Sequence, residues 1–232
     1  MKKVFPLGLL IALIFSALVF VSPTTTNGQG AGLVSSVLNR LEKNRASLKS
    51  LRAGIVMEKY NSQIGTKDEA KGVVAYVPGA GRTASVRLEW TSPQHEMIVV
   101  SNGKYVLFKQ RLGIAYTGPV SKAPGTTTGI LDMMYMSRQQ LETKFQPVQD
   151  VREETLWGGV GTIHITLVPK GNASYKYAEV WIDNGGMPVQ TKIVEKNDDS
   201  TTMRLTALEK NVPIPNGEFQ LKLDSNVKIV KG

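Results

Sequence analysis

The sequence predicts an α+β domain in which antiparallel β-strands form most of the chain and a few helices pack against the sheet. Three observations predict it: a helical period near the N-terminus, a period of two from residue 53 onward, and two helical signals between two runs of strands. With 232 residues, 41% hydrophobic and 20% charged, the composition is that of one globular domain with a sizeable core.

The first segment has the layout of a secretory signal peptide. Lys2 and Lys3 precede an almost wholly apolar run over 4–21, and a polar stretch follows it. We therefore expect export to the periplasm. The alternative is a retained membrane anchor, since about 18 apolar residues lie near the lower limit for a spanning helix.

The cleavage site is predicted from the residues after the apolar run. A cut after Ser22 would place Pro23 directly behind the cleaved bond, which the peptidase disfavours, whereas a cut after Gly28 avoids this. We predict that residues 1–28 form the signal peptide and that residues 29–232 form a single domain.

An amphipathic helix is predicted over residues 32–51. Its apolar positions recur at intervals of three, four and seven: Val34, Val37, Leu41, Leu48 and Leu51. Arg40, Lys43 and Arg45 fall on the other side of the helix. The mature chain is therefore expected to begin with one helix that packs on the sheet.

From Ala53 the period becomes two, which is typical of strands with one buried face. In one such strand Val86, Leu88 and Trp90 share a face, and glycine- and asparagine-rich turns separate the segments. We expect about ten or eleven strands, joined mostly as antiparallel neighbours.

Two segments, 73–77 and 97–100, are apolar on both faces, so both faces of the sheet should be covered there. The cover is expected from the middle of the chain. Residues 126–128 could cap a helix over 130–136. Ser137, with Gln three residues later, resembles a capping box for a second short helix that reaches Phe145.

The middle segment has a cluster of flexible apolar side chains, namely Leu131, Met133, Met134 and Met136. Methionine is unbranched and adapts to ligands of varied shape. The same pattern is also typical of a helix packed permanently on a sheet, so the pattern alone leaves both interpretations open.

The sequence offers little for catalysis or metal binding. It contains no cysteine, and its two histidines, His95 and His164, are predicted to be partly exposed strand residues rather than bases or ligands. The sequence contains no hydrolase motif, no zinc-protease motif and no phosphate-binding loop. We therefore expect no enzyme activity, no cofactor and no metal.

The formal net charge is +9, or +7 without Lys2 and Lys3. The cations are scattered along the chain without a dense run, which favours a solvated basic surface over a nucleic-acid partner.

Residues 72–110 resemble the LolA family of periplasmic lipoprotein carriers. The matching elements, in order, are a strand starting at Gly72, then Arg82, the strand 86–90 before Pro93, the segment 98–104 (IVVSNGK) and the strand 105–108. The strand 163–170 and the closing segment 219–230 are also similar to the family, so the resemblance covers the mature chain. The family's Arg-Pro pair is Arg82-Thr83 here.

The resemblance implies an incomplete antiparallel β-barrel whose concave apolar face is covered by the N-terminal helix and two short helices. Acyl chains of lipoproteins would bind inside, and the expected contacts are Val86, Leu88, Trp90, Tyr105, Leu131, Met134 and Met136. Arg82 matches the arginine that holds the family's lid closed, so it is the expected gate.

The same resemblance implies a monomeric carrier that ferries lipoproteins from the inner to the outer membrane. Its partners would be lipoproteins, an inner-membrane lipoprotein-releasing ABC transporter and an outer-membrane receptor. An alternative with the same half-barrel is a periplasmic sensor or regulator that binds lipid or lipoprotein.

Overall fold

The computed structural model describes residues 27–79, 84–123, 136–148 and 150–232. The helices are α1 (Asn27–Ser47) and α2 (Arg138–Lys144). The strands before α2 are β1 (Leu51–Asn61), β2 (Thr66–Val77), β3 (Ser85–Ser92), β4 (Glu96–Ser101), β5 (Lys104–Lys109) and β6 (Ile114–Pro119). Those after it are β7 (Val151–Leu156), β8 (Val160–Leu167), β9 (Tyr175–Asp183), β10 (Pro188–Glu195), β11 (Ser200–Lys210) and β12 (Lys228–Lys231).

The strands of the described ranges form one open sheet in the order β12-β6-β5-β4-β3-β2-β1-β11-β10-β9-β8-β7. All neighbours are antiparallel except β12, which pairs in parallel with β6. The predicted α+β class, with a mostly antiparallel and incompletely closed β-structure, is confirmed. The described strands number twelve rather than ten or eleven.

Helix α1 lies against the part of the sheet formed by β8 and β9. Val37 is 1% exposed and packs in one cluster with Ile165 and Val180. The helix approaches the β9–β10 turn so closely that a Cβ on Gly186 would lie 2.2 Å from the carbonyl oxygen of Arg40. The predicted helix is confirmed, but it ends at Ser47 because Leu51 already belongs to β1.

Helix α2 begins with the capping box that the sequence predicts. The Ser137 hydroxyl accepts a hydrogen bond from the Gln140 backbone N–H at 3.2 Å, and the Gln140 side chain accepts one from the Ser137 N–H at 2.9 Å. Leu141 and Phe145 are buried in the same cluster as α1. The other predicted short helix, over 130–136, lies almost wholly outside the described residues.

Helix α2 is also joined to α1 by polar contacts. The backbone N–H of Arg138 donates to the Glu42 carboxylate at 3.3 Å, and its guanidinium donates to Asn39 at 3.0 Å. The hydrogen bond from the Arg45 side chain, assisted by the Arg138 N–H, holds the pKa of the Glu42 carboxyl below its ordinary value. The two helices therefore form one unit on the sheet.

The opposite face of β2 and β4 is covered by the C-terminal segment. Phe219 is 8% exposed and packs with Ala75 and Val99, and Ile214 and Leu221 flank it. The sequence analysis assigned the cover of these strands to the middle of the chain. Within the described residues that assignment is wrong for this face, because the segment after β11 supplies the cover.

A helix that crosses a bilayer needs about 20 predominantly apolar residues. Neither α1 nor α2 is long and apolar enough to meet this requirement. The apolar run over 4–21 lies outside the described residues.

Candidate functional site

The face of the sheet that carries α1 is continuous across most of the strands. Val180, which packs with Val37 of α1, is opposite Thr191 in β10. Thr191 is opposite Met203 in β11, and Met203 is opposite Met57 in β1. Because directly opposed residues point to the same side of a sheet, these positions define one helix-covered face.

On the helix-covered face, strands β1 to β4 and β11 build a large apolar cluster. Its core consists of Leu51, Ala53, Ile55, Val74, Tyr76, Leu88, Trp90, Ile98, Met203 and Leu205. Half-buried residues on its margin include Met57, Val86 and Leu107. We call this set the central cluster.

Three of the predicted contact residues lie together in the central cluster. Leu88 is fully buried, directly between Val74 of β2 and Ile98 of β4. Trp90 is 8% exposed and lies opposite Gly72, while Val86 is half-buried. Val86, Leu88 and Trp90 follow one another at intervals of two residues, so all three lie on one face of β3, as the sequence pattern predicts.

Gly72 explains how the Trp90 region packs. A Cβ at position 72 would lie 2.2 Å from the carbonyl oxygen of Glu89 and 3.1 Å from the Cα of Trp90. The register between β2 and β3 shifts beside it, between Lys71 and Gly72. The absence of a side chain therefore lets β3 approach β2 closely where the largest side chain of the cluster lies.

The other predicted contacts fall elsewhere. Tyr105 is buried on the same face but belongs to the far end of the sheet, where a Cβ on Gly118 would lie 3.0 Å from its ring. Met136 is half-buried and packs with the cluster under α1 and α2, not with the central cluster. Arg82, Leu131 and Met134 lie outside the described residues.

Sequence reasoning missed most of the central cluster. Leu51, Ala53, Ile55 and Met57 alternate in β1, and Met203 and Leu205 alternate in β11. The signal was present as the same period of two that singled out β3. What the sequence alone could not show is that β1 and β11 are neighbours, because some 140 residues separate them in the chain.

The Thr191 hydroxyl is a buried polar group on the helix-covered face. The side chain is fully buried, and its hydroxyl has no hydrogen-bond partner among the residues that the structure describes. A polar group without a partner in an apolar setting is costly.

His164 lies on the other face of the sheet and is not partly exposed, as the sequence analysis predicted, but fully buried. Its ring is 4.6 Å from that of Trp181, and Nε2 lies 3.2 Å from the Glu179 carboxylate. Glu179 also pairs with Lys192 at 3.3 Å. The prediction failed because Trp181 covers a face that the strand pattern assigns to solvent.

A polar cleft lies between α1 and the β7–β8 hairpin. Its volume is about 400 Å³, and its lining includes Leu33 and Arg40 of α1, Glu153, Glu154 and Thr155 of β7, and Asn184. Both signs of charge line it. Across the described ranges, no group of three or more histidine or carboxylate side chains is arranged to hold a metal ion.

The central cluster is a buried set of apolar side chains, so the chemistry it offers to a ligand is apolar. Each CH₂ group transferred from water to such a surface contributes about 0.8 kcal/mol. In the structure Leu88 is fully buried and Trp90 is 8% exposed.

Comparison with solved structures shows the same fold in distant proteins. A conserved protein from Thermus thermophilus is 12% identical with a TM-score of 0.56, covering 86% of this chain and 99% of that one. A chain of the Pseudomonas aeruginosa MucA/MucB complex is 14% identical with a TM-score of 0.52, covering 84% of this chain. The present chain spans 62% of the length of that second chain.

LprF from Mycobacterium bovis is 14% identical, with a TM-score of 0.49, 78% of this chain covered and 95% of that one. No curated protein matches the sequence. The family model described as "Outer membrane lipoprotein carrier protein LolA" matches residues 59–222. That match includes β2 to β11 and most of the central cluster, and the chain therefore belongs to the LolA family.

Proposed function

We propose that this protein is a periplasmic carrier that binds the acyl chains of lipoproteins and ferries them from the inner to the outer membrane. The observation that supports it is the central cluster, a continuous set of apolar side chains contributed by five strands of an open sheet. Trp90, its largest member, and Leu88 lie two positions apart on the same face of β3.

The proposal also rests on the energetics of lipid transfer. At about 0.8 kcal/mol for each buried CH₂, the acyl chains of one lipoprotein need an apolar escort across an aqueous compartment. We propose Val86, Leu88, Trp90 and Tyr105 as acyl contacts on the sheet, and Leu131, Met134 and Met136 as acyl contacts from the lid. Release requires that the cover reopens, and we propose the segment 126–136 as the lid and Arg82 as its gate.

In this function the protein performs no chemical step and needs no cofactor. It would accept lipoproteins from a lipoprotein-releasing ABC transporter in the inner membrane and deliver them to an outer-membrane receptor. Residues 1–28 would direct export as a signal peptide. Family membership supports these roles, since LolA proteins carry lipoproteins in the periplasm.

The test is uptake of a lipidated lipoprotein compared with its non-acylated form, measured by native mass spectrometry of the purified mature protein. We expect a complex with the lipidated form alone. Val86→Glu places a charge on the margin of the central cluster and should abolish uptake while the circular-dichroism spectrum stays native. Equal binding of both forms by the unmodified protein would contradict the proposal.

The matched control is Val73→Glu. Val73 lies one strand away on the opposite face of the sheet and is 53% exposed, so the same charge there meets water. Uptake by this variant should equal that of the unmodified protein. If both variants lose uptake equally, the helix-covered face is not the binding surface.

A second candidate function is a periplasmic sensor that binds lipid or lipoprotein and passes the signal to a protein partner. The observation that favours it is the shared fold with MucB, whose structure with MucA is known. A carrier releases its cargo to a lipoprotein acceptor, whereas a sensor changes its affinity for a partner when lipid binds. Transfer of radiolabelled lipoprotein from the loaded protein to outer-membrane vesicles distinguishes the two.

A further inference from the structure

One tryptophan of the chain is almost completely exposed. Trp157, at the tip of the β7–β8 hairpin, has 85% of its surface accessible, whereas Trp90 and Trp181 are 8% and 6% exposed. The chain contains three tryptophans in all. Singly exposed hydrophobic side chains are common on protein surfaces, so exposure alone carries no inference here. The inference depends on how the hairpin holds the ring and on the cation beside it.

The hairpin presents this ring on a defined support. Leu156, the residue before it, is buried and pairs with Val160 across the hairpin. Gly158 and Gly159 both have left-handed backbone angles, with φ of 85° and 75°, and the Gly159 N–H donates to the Leu156 carbonyl at 3.1 Å. Two glycines make this tight turn without strain, so the tip is short and the ring stands at its end.

A cation is held beside the exposed ring. The guanidinium carbon of Arg204 in β11 lies 5.6 Å from the centre of the Trp157 ring, and the same side chain donates a hydrogen bond to the Trp157 carbonyl. Val160, 37% exposed, adds apolar surface to the tip. Glu154, a carboxylate in the same hairpin, forms an ion pair with Arg152 of its own strand, at 3.6 Å from the guanidinium.

We propose that the tip formed by Trp157, Val160 and Arg204 docks the protein on the surface of an anionic lipid bilayer. Tryptophan partitions to the membrane–water interface, where its ring is buried and its N–H stays hydrated. An adjacent arginine can pair with lipid phosphates in bidentate fashion. The net charge, +9 for the full chain and +7 without Lys2 and Lys3, adds a long-range attraction to an anionic surface.

The shape of the tip favours a bilayer over a protein partner. A stable protein interface buries roughly 800 Å² on each side, and a single ring with one half-exposed valine offers far less. A bilayer needs no complementary pocket, because it closes around whatever apolar group enters it. The inference rests on the proposed carrier function, since a carrier has to bring its cargo to lipid.

The experiment measures binding of the mature protein, without cargo, to vesicles of phosphatidylglycerol and phosphatidylethanolamine. We expect a blue shift of tryptophan emission, quenching by brominated lipids, and weaker binding at high salt. Trp157→Ala should reduce the partition coefficient at least about tenfold and abolish the shift, because the remaining two tryptophans are buried. Arg204→Gln should weaken binding to anionic vesicles more than to neutral ones.

The matched control is Ile64→Ala. Ile64 is 71% exposed in the β1–β2 turn, at the opposite end of the strands from Trp157. Its loss should leave vesicle binding unchanged. Equal binding by the Trp157→Ala variant and the unmodified protein, or no binding by the unmodified protein, would overturn the inference.

The two proposals fail separately. Uptake of lipidated lipoprotein from detergent micelles does not require the hairpin tip, so the Trp157→Ala variant should load normally and lose only transfer to vesicles. Vesicle binding without any cargo uptake would contradict the carrier function and leave membrane docking intact. Cargo uptake without vesicle binding would contradict membrane docking and leave the carrier function intact.

Discussion

At the scale of single residues, the packing of β2 against β3 depends on the absence of one side chain. Gly72 lies opposite Trp90, and a Cβ there would meet the Glu89 carbonyl oxygen at 2.2 Å. Backbone atoms cannot move aside as a flexible side chain can. Any residue larger than glycine would therefore push β3 away from β2 beside the largest ring of the central cluster.

The first prediction is that Gly72→Ala lowers the free energy of unfolding by about 2 kcal/mol, through overpacking at the strand interface. Urea denaturation followed by circular dichroism measures this. The control is Gly161→Ala in β8, where the new Cβ would meet its nearest neighbour, the Asn184 side chain, at an ordinary 3.9 Å. Equal stability of both variants would show that the close approach of β3 is not constrained by Gly72.

The sequence could predict residues of the site where a strand has a regular period. Val86, Leu88 and Trp90 follow from alternation alone, and the structure brings all three into one cluster. Alternation also led to the wrong environment for His164, which points away from the apolar positions of β8 yet is fully buried. The period identifies the two faces of a strand but not what covers each face.

At the scale of elements, the short helix α2 depends on its cap. It has seven residues, and so short a helix has little intrinsic stability. The capping box satisfies two backbone donors at its start, and Leu141 and Phe145 bury its apolar side against α1 and the sheet. This helix was predictable because its cap is local in sequence.

The second prediction is that Ser137→Ala destabilises the protein by about 1 kcal/mol, the usual cost of losing an N-cap. Amide hydrogen exchange should accelerate most in residues 138–145, because the helix end frays first. The control is Gln139→Ala, an exposed position in the same helix whose side chain takes no part in the capping box. Faster exchange in the control than in the Ser137 variant would contradict a role for the cap.

Other elements were harder to predict. Strand β12 has only four residues, pairs in parallel with β6, and follows a long segment without regular strands. It lacks a hairpin turn, which is the signal that located the antiparallel strands. The expected number of strands, ten or eleven, was therefore smaller than the twelve in the described residues.

At the scale of the whole molecule, the C-terminal segment connects distant parts of the open sheet. It leaves β11, crosses the outer face of β2 and β4 at Phe219, and ends beside β6. Glu218 adds an ion pair with Arg52 at 3.2 Å and accepts a hydrogen bond from Arg87 through its carbonyl. No local pattern indicates this path, because its contacts are far apart in sequence.

Under the proposed carrier function, the two faces of the sheet have different roles. The C-terminal segment covers the outer face through contacts within the chain, while the central cluster is the proposed surface for cargo. A carrier must open one face without unfolding, so the cover of the other face has to hold the strands together. Phe219 is the side chain that contributes most to this cover, being 8% exposed and in contact with both β2 and β4.

The third prediction is that Phe219→Ala lowers the free energy of unfolding by about 3 kcal/mol, because it leaves a cavity between the segment and the sheet. Urea denaturation measures the loss, and limited proteolysis should cleave the segment after β11 more rapidly. The control is Ile229→Ala in β12, which removes an apolar side chain of the same segment that is 57% exposed and should change stability little. If the segment were a passive tail, the two variants would unfold at the same urea concentration and resist protease equally.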